Sequence, residues 1–173
     1  MEPIFSNSCN YTVANLEEMA KANTPTWYKL YCIIFSILFV VIAIVSFTMK
    51  HAGVAVLFFI FAIALFFIFK KSASITAKRT YNQNAQTFDG ELQTRIFFYD
   101  ASIVGKNLKS SGVVNTTYDK ISEVIETEHL FIINIEKDLS ILVDKSGFLS
   151  DNQDNFPAFI KEKCVNADFS FLK

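Results

Sequence analysis

Two apolar runs, set back to back between Leu30 and Phe69, constrain this chain more than any other feature. No charged residue lies between Lys29 and Lys50, and after Met49-Lys50-His51 the pattern resumes from Ala52 to Phe69. A helix needs roughly 20 predominantly apolar residues to cross the hydrocarbon core of a bilayer. Each run holds thirteen Ile, Leu, Val or Phe, and each such residue favours insertion by roughly 0.3 to 0.6 kcal/mol near the bilayer centre. The break is too short for a soluble loop. The expectation is a helical hairpin, with membrane helices over 27–49 and 52–69 and an outer loop at 50–51. The lipid bilayer is then the first partner of the chain.

The flanks orient that hairpin. Lys70, Lys71, Lys78 and Arg79 follow the second run, against Lys50 and His51 in the loop. Excess basic residues mark the cytoplasmic side, so both termini are expected in the cytoplasm, at a cell (plasma) membrane. The four basic residues are also the candidate contacts for lipid headgroups, each gaining on the order of 1 kcal/mol from an anionic surface. Trp27, Tyr28 and Tyr31 stand where the first helix enters the headgroup region and form an aromatic anchor.

Within the hairpin no Asp, Glu, Lys, Arg or His occurs in either apolar run. An ion pathway or proton relay usually needs one. The small residues carry more information. Folding the hairpin about position 49 sets Ser36 level with Ala62 and Ala43 level with Ala55. Small side chains at matched depth let two backbones approach, so these four are candidates for the helix–helix contact. Small residues also occur facing lipid.

The segment 1–26 precedes the anchor. Pro3 to Val13 leans towards one short strand. Thr12 or Asn10 can cap a helix over Val13 to Ala22, and Pro25 ends it. Its polar character and its Glu2, Glu17 and Glu18 argue against a secretory leader. Beyond the anchor, 70–88 reads as a linking helix that continues the second membrane helix, with Ala73, Ala77, Tyr81, Ala85 and Phe88 at helical spacing.

After Asp89-Gly90 the hydrophobic period drops to two. Short strands are expected over Leu92 to Phe98, Ile103 to Lys106, Val113 to Tyr118, Val124 to Thr127, Leu130 to Ile135 and Ser140 to Val143. Phe156, Phe159, Ile160 and Cys164 follow at helical spacing, with Pro157 tolerable only in a first turn. The fold class is membrane α+β. It combines a two-helix transmembrane hairpin with a small antiparallel β-barrel or bent sheet over 89–173, capped by a C-terminal helix.

No phosphate loop, zinc-binding HExxH, nucleophile elbow or metal-spaced cysteine set occurs. Cys9, Cys32 and Cys164 read as unpaired thiols of a reducing compartment. His51 and His129 read as loop residues. Glu126 and Glu128 share a strand face as an acid and base pair would, yet so does any solvent face. Lys106, Lys109 and Lys120 form a basic set that could meet headgroups or a partner. With a net charge of −1, no basic field points to nucleic acid. No cofactor, metal site or catalytic residue is expected, and the chain is not read as an enzyme.

Over "IFFYDASIVGKN", "TTYDKISEVIETEHLFIINIEKDLSILVDKSGF" and "FPAFIKEKC" the sequence resembles the YcxB-like family of small membrane proteins. The residues that carry the likeness are Phe98 to Asp100, Tyr118 to Ile121, Glu126-Thr127, Leu130 to Ile135 and Lys145 to Phe148. The resemblance implies a pleckstrin-homology-like barrel of seven strands on a membrane hairpin, and it supplies no activity or ligand residues. Six strands follow Gly90, so the segment near Pro3 to Tyr11 is the candidate seventh. The expected function is a non-catalytic, membrane-anchored cytoplasmic binding module for a protein or headgroup. The rival readings are an accessory subunit that packs on a transporter or membrane enzyme, and a membrane-surface enzyme.

Overall fold

The computed structural model describes residues 2–88, 90–110, 112–135, 139–149 and 153–171. It divides into two compact units, one of residues 23–76 and one made from the segments on either side.

The first unit is the hairpin. Helix α2 spans Thr26–Thr48 and helix α3 starts at Ala52. Both are long and apolar enough to cross a membrane. Pro25 stands at the α2 N-cap in extended geometry, where a missing N–H costs nothing. The turn is tight because Lys50 takes the left-handed region at φ 61°. Backbone bonds from Lys50 to Phe47 and from His51 to Ser46 close the end of α2. Facing side chains meet at matched depth, Phe39 with Phe58 at 5.7 Å and Tyr28 with Phe69 at 6.1 Å between ring centroids. Helix α3 runs without interruption to Phe88, so the second apolar run and the expected linking helix are one element. Past Phe88, the Gly90 N–H bonds back to the Ala85 carbonyl with φ at 121°, a left-handed helix ending that glycine adopts without strain.

The second unit is assembled from both sides of that insertion. Strand β1 (Phe5–Asn10) and helix α1 (Val13–Ala22) precede it. Thr12 caps α1, its Oγ1 accepting from the Asn15 N–H at 3.1 Å. After α3 come β2 (Gln93–Phe98), β3 (Ser102–Asn107), β4 (Val113–Thr117), β5 (Ile121–Glu126), β6 (Leu130–Ile135) and β7 (Leu139–Asp144). A turn of 3-10 helix at Gln153–Asn155 leads into α4 (Phe156–Lys163), with Pro157 in its first turn, and β8 (Asp168–Phe171) follows.

These strands form two four-stranded sheets, ordered β1-β2-β3-β4 and β7-β6-β5-β8. The N-terminal strand does join the later ones: β1 pairs antiparallel with β2, from Phe5 opposite Phe98 to Asn10 opposite Gln93. The expected closed barrel does not form. β8 pairs in parallel with β5 and takes the edge that β4 would need for closure, so the second sheet is mixed rather than antiparallel. The hydrophobic pattern after Cys164 does not predict that strand. A 3-10 turn, Tyr118–Lys120, carries the chain between the sheets instead, and the Tyr118 hydroxyl donates to the Tyr99 carbonyl at 2.6 Å.

On the other side the sheets are sewn together by Asn7. Its amide donates to the Asp144 carbonyl at 2.7 Å, and its Oδ1 accepts from the Asp144 N–H at 3.1 Å. Backbone bonds from Ser8 to Gly147 and from Leu149 to Ser6 continue the seam. A Cβ on Gly147 would run into the Ser8 carbonyl, so this close approach requires glycine.

Strict alternation along β6 explains how the second sheet is buried on both faces. Phe131, Ile133 and Ile135 enter the core between the sheets, while Leu130 and Ile132 enter a second cluster with Cys9, Leu16 and Ala77. In β5 a register shift between Ile121 and Glu123 puts Ile121 and Val124 on the same side, as one extra bulge residue must. α4 closes the inter-sheet core with Phe156, whose ring lies 4.9 Å from Phe98 and 5.3 Å from Phe131.

Candidate functional site

The space between the sheets is filled at one end and vacant at the other. The pairing register makes this readable along each strand. Inward positions run Phe98, Ile96, Thr94 on β2 and Ile103, Gly105, Asn107 on β3, with Gly105 opposite both Ile96 and Val114. Side chains therefore shrink away from α4. At the narrow-chain end lies a cavity of about 610 Å³, bounded also by Leu16 and Met19 of α1 and by Phe88. Ligand pockets commonly span roughly 300 to 1,000 Å³ with mostly apolar linings.

Its walls are mostly apolar, with Thr80 and Asn84 of α3 and Thr94, Asn107, Ser110 and Ser140 as the polar lining residues. Thr94 Oγ1 donates to the Cys9 carbonyl at 3.4 Å, and Asn107 Oδ1 accepts from the Lys109 N–H at 2.9 Å. Tyr11 lines the same space, and burial pushes its phenol up to about 12. Val114 and Leu139, which point inward, remain 37% and 43% exposed. Lys106 is the charged residue of the lining, but its ammonium stands over the Phe97 ring at 5.6 Å, on the outward side of the strand.

Outside the cavity, the outer face of the first sheet is basic. Arg95 and Lys106 are directly opposed in register. The outward strand positions are otherwise Ser, Asn, Gln, Thr, Val and Phe, so no carboxylate offsets them. Opposed like charges are destabilising by themselves. Of the expected basic set, Lys106 and Lys109 come to this end, while Lys120 lies in the turn after β4 at the other.

The remaining sequence candidates are distributed as follows. Ala43, Ala55 and Ala62 are buried in the hairpin unit, and Ser36 is half-buried with its hydroxyl returned to the Cys32 carbonyl at 2.7 Å. Lys70, Lys71, Lys78 and Arg79 are exposed along α3, Lys70 lying over the Phe66 ring. Glu126 and Glu128 do not form a pair. Glu126 is held by Lys145 at 2.8 Å, and that ammonium also donates to the Thr127 carbonyl, whereas Glu128 is in an exposed turn.

His129 is held rather than free: Glu18 of α1 accepts from its backbone N–H at 2.9 Å and meets its ring at 3.1 Å. Partial burial works against the Glu18 charge, but hydrogen bonds from Thr127 and His129 outweigh it and keep the carboxyl below its ordinary range. The three cysteines are unpaired. Burial raises the Cys9 thiol to about 12 and the Cys164 thiol to about 11, so neither is a ready nucleophile. Among the described residues no group of three His, Cys, Asp or Glu is placed to hold a metal.

The strands, corner turn and plug helix after β2 have a counterpart in sequence. Residues 98–161 match the family model described as YcxB-like protein. The YcxB-like segment takes in β3 to β7 and most of α4, and it excludes β1 and the hairpin. The residues of this segment are largely architectural. Tyr118 and Ile121 are core, and Thr127 closes the β5–β6 turn by donating to and accepting from Leu130. Phe148 packs on Phe156 at 4.9 Å. No curated protein matches the chain.

Proposed function

We propose that this protein is a membrane-anchored, non-catalytic binding module whose two-sheet unit works at the cytoplasmic surface. The observation that carries the reading is the insertion of the apolar hairpin between β1 and β2, two strands paired along their whole length. An anchor placed inside a domain's first connection restrains it by two chain segments rather than one. The basic residues that follow the second apolar run support a cytoplasmic location. The binding role is supported by a half-open apolar cavity beside a face with unbalanced positive charge, and by carboxylates engaged in structural pairs rather than gathered at that cavity.

Thiol labelling tests the arrangement. Cys9 and Cys164 are buried, so introduced cysteines are needed. His51→Cys should react with a membrane-impermeant maleimide in intact cells, and Val165→Cys, at an exposed position, only after permeabilisation. The reverse pattern would put the two-sheet unit outside the cell and overturn the reading.

A further inference from the structure

We propose that the open end of the inter-sheet space takes an acyl chain of a membrane lipid, an inference that rests on the membrane-anchored reading above. The cavity is not a packing defect of one side chain. It follows from Gly105 on β3 and from the inward Val114 and Leu139, which stay more than a third exposed. A mostly apolar space of this size is a poor host for water, which needs two to four polar partners, and Thr94 and Asn107 each already hold one backbone bond.

The chemistry of the lining selects the occupant. A peptide would bring more amide groups than the few polar side chains of this wall can match, and a charged metabolite would find no ionised group inside, since the Lys106 ammonium turns outward. A saturated or unsaturated hydrocarbon chain needs neither. Its headgroup has a place as well. The Lys109 ammonium lies beside Gly90 at the mouth, and Lys106 stands on the outer face one position along β3 from Asn107, the partner of Thr94. This is also the end of the first sheet at which Asn10 leaves for α1 and Gln93 returns from α3. A chain that carries its own bilayer anchor has such lipids at hand.

Gly105 gives the test its variants. Its φ is not in the left-handed region, and a Cβ there would meet Val114 at an ordinary 3.8 Å. Gly105→Leu should thus fill the cavity without backbone strain, and Val114→Phe fills it from the facing wall. The full-length protein is reconstituted in bilayers doped with a phosphatidylglycerol that carries a diazirine near one acyl terminus, irradiated, and mapped by peptide mass spectrometry. Adducts should fall in the α2 and α3 apolar runs and also on the peptides bearing Ile96, Val114 and Ile141. In either variant the second set should be lost while the first is unchanged. Adducts confined to the hairpin, or sandwich adducts that persist in both variants, would overturn the inference and leave the anchor standing. Absence of hairpin adducts would instead strike the membrane reading itself.

Discussion

The two ends of the inter-sheet space are built from the same strands and reach opposite outcomes. At the α4 end, Phe5, Phe98, Phe131 and Phe148 surround Phe156, which is fully buried. At the other end the same strands present Thr94, Gly105 and Val114, and α1 and α3 border the space without filling it. One end is closed by the chain's own side chains, and the other keeps a cavity of about 610 Å³. The difference lies in residue size along a fixed register, not in topology. A sheet pair can thus hold a rigid half and a receptive half without changing its hydrogen bonding.

Substitutions that probe this contrast should differ in size. Phe156→Ala removes the centre of the filled end and should cost about 3 to 5 kcal/mol, read as a lowered thermal midpoint of the two-sheet unit. Asn7→Ala acts at the seam. It strands the backbone N–H of Asp144, whose carbonyl keeps the Gly147 N–H, and an unsatisfied group of this kind costs about 1 to 3 kcal/mol. If Asn7→Ala were neutral, the seam would rest on the Ser8–Gly147 and Leu149–Ser6 backbone bonds and on core packing.

Glu18→Gln tests the cover on the outer face of the second sheet and should cost about 1 kcal/mol at neutral pH. The folded carboxyl titrates below its unfolded value of about 4.3. Its stabilisation is therefore complete above that value and disappears as pH falls through the lower folded value. The difference between wild type and variant should vanish there too. Smallest is the effect at the open end. Val114→Ala should cost under about 1 kcal/mol because its side chain is part exposed. Gly105→Val should leave stability equal or raise it by up to about 1 kcal/mol, as a branched residue replaces glycine within a strand. A penalty of several kcal/mol at either position would mean the open end is packed and the contrast false.

Much of this architecture is written in hydrophobic period. The hairpin, the six strands after Gly90, the cap of α1 and the unbroken α3 are legible as runs, alternations and helical spacings. β8 was not, because Asp168-Phe169-Ser170-Phe171 is a single alternation with no partner suggested by sequence, and its parallel pairing joins distant segments. The open barrel follows from that same strand. The cavity was hidden for another reason: Gly105 is unremarkable until register sets it opposite Ile96 and Val114. The three loop residues Glu136, Lys137 and Asp138, expected to join β6 to β7, lie outside the described residues.

The central claim is that segments on both sides of the hairpin insertion form one cooperative body. Hydrogen exchange on the full-length protein in nanodiscs tests it most directly. Peptides of β1 should be protected to the same free energy as those of β6, and Asn7→Ala should lower both together. Exchange of β1 that is fast while β6 stays protected, and indifferent to Asn7→Ala, would show the N-terminal strand to be a loose attachment and contradict the account.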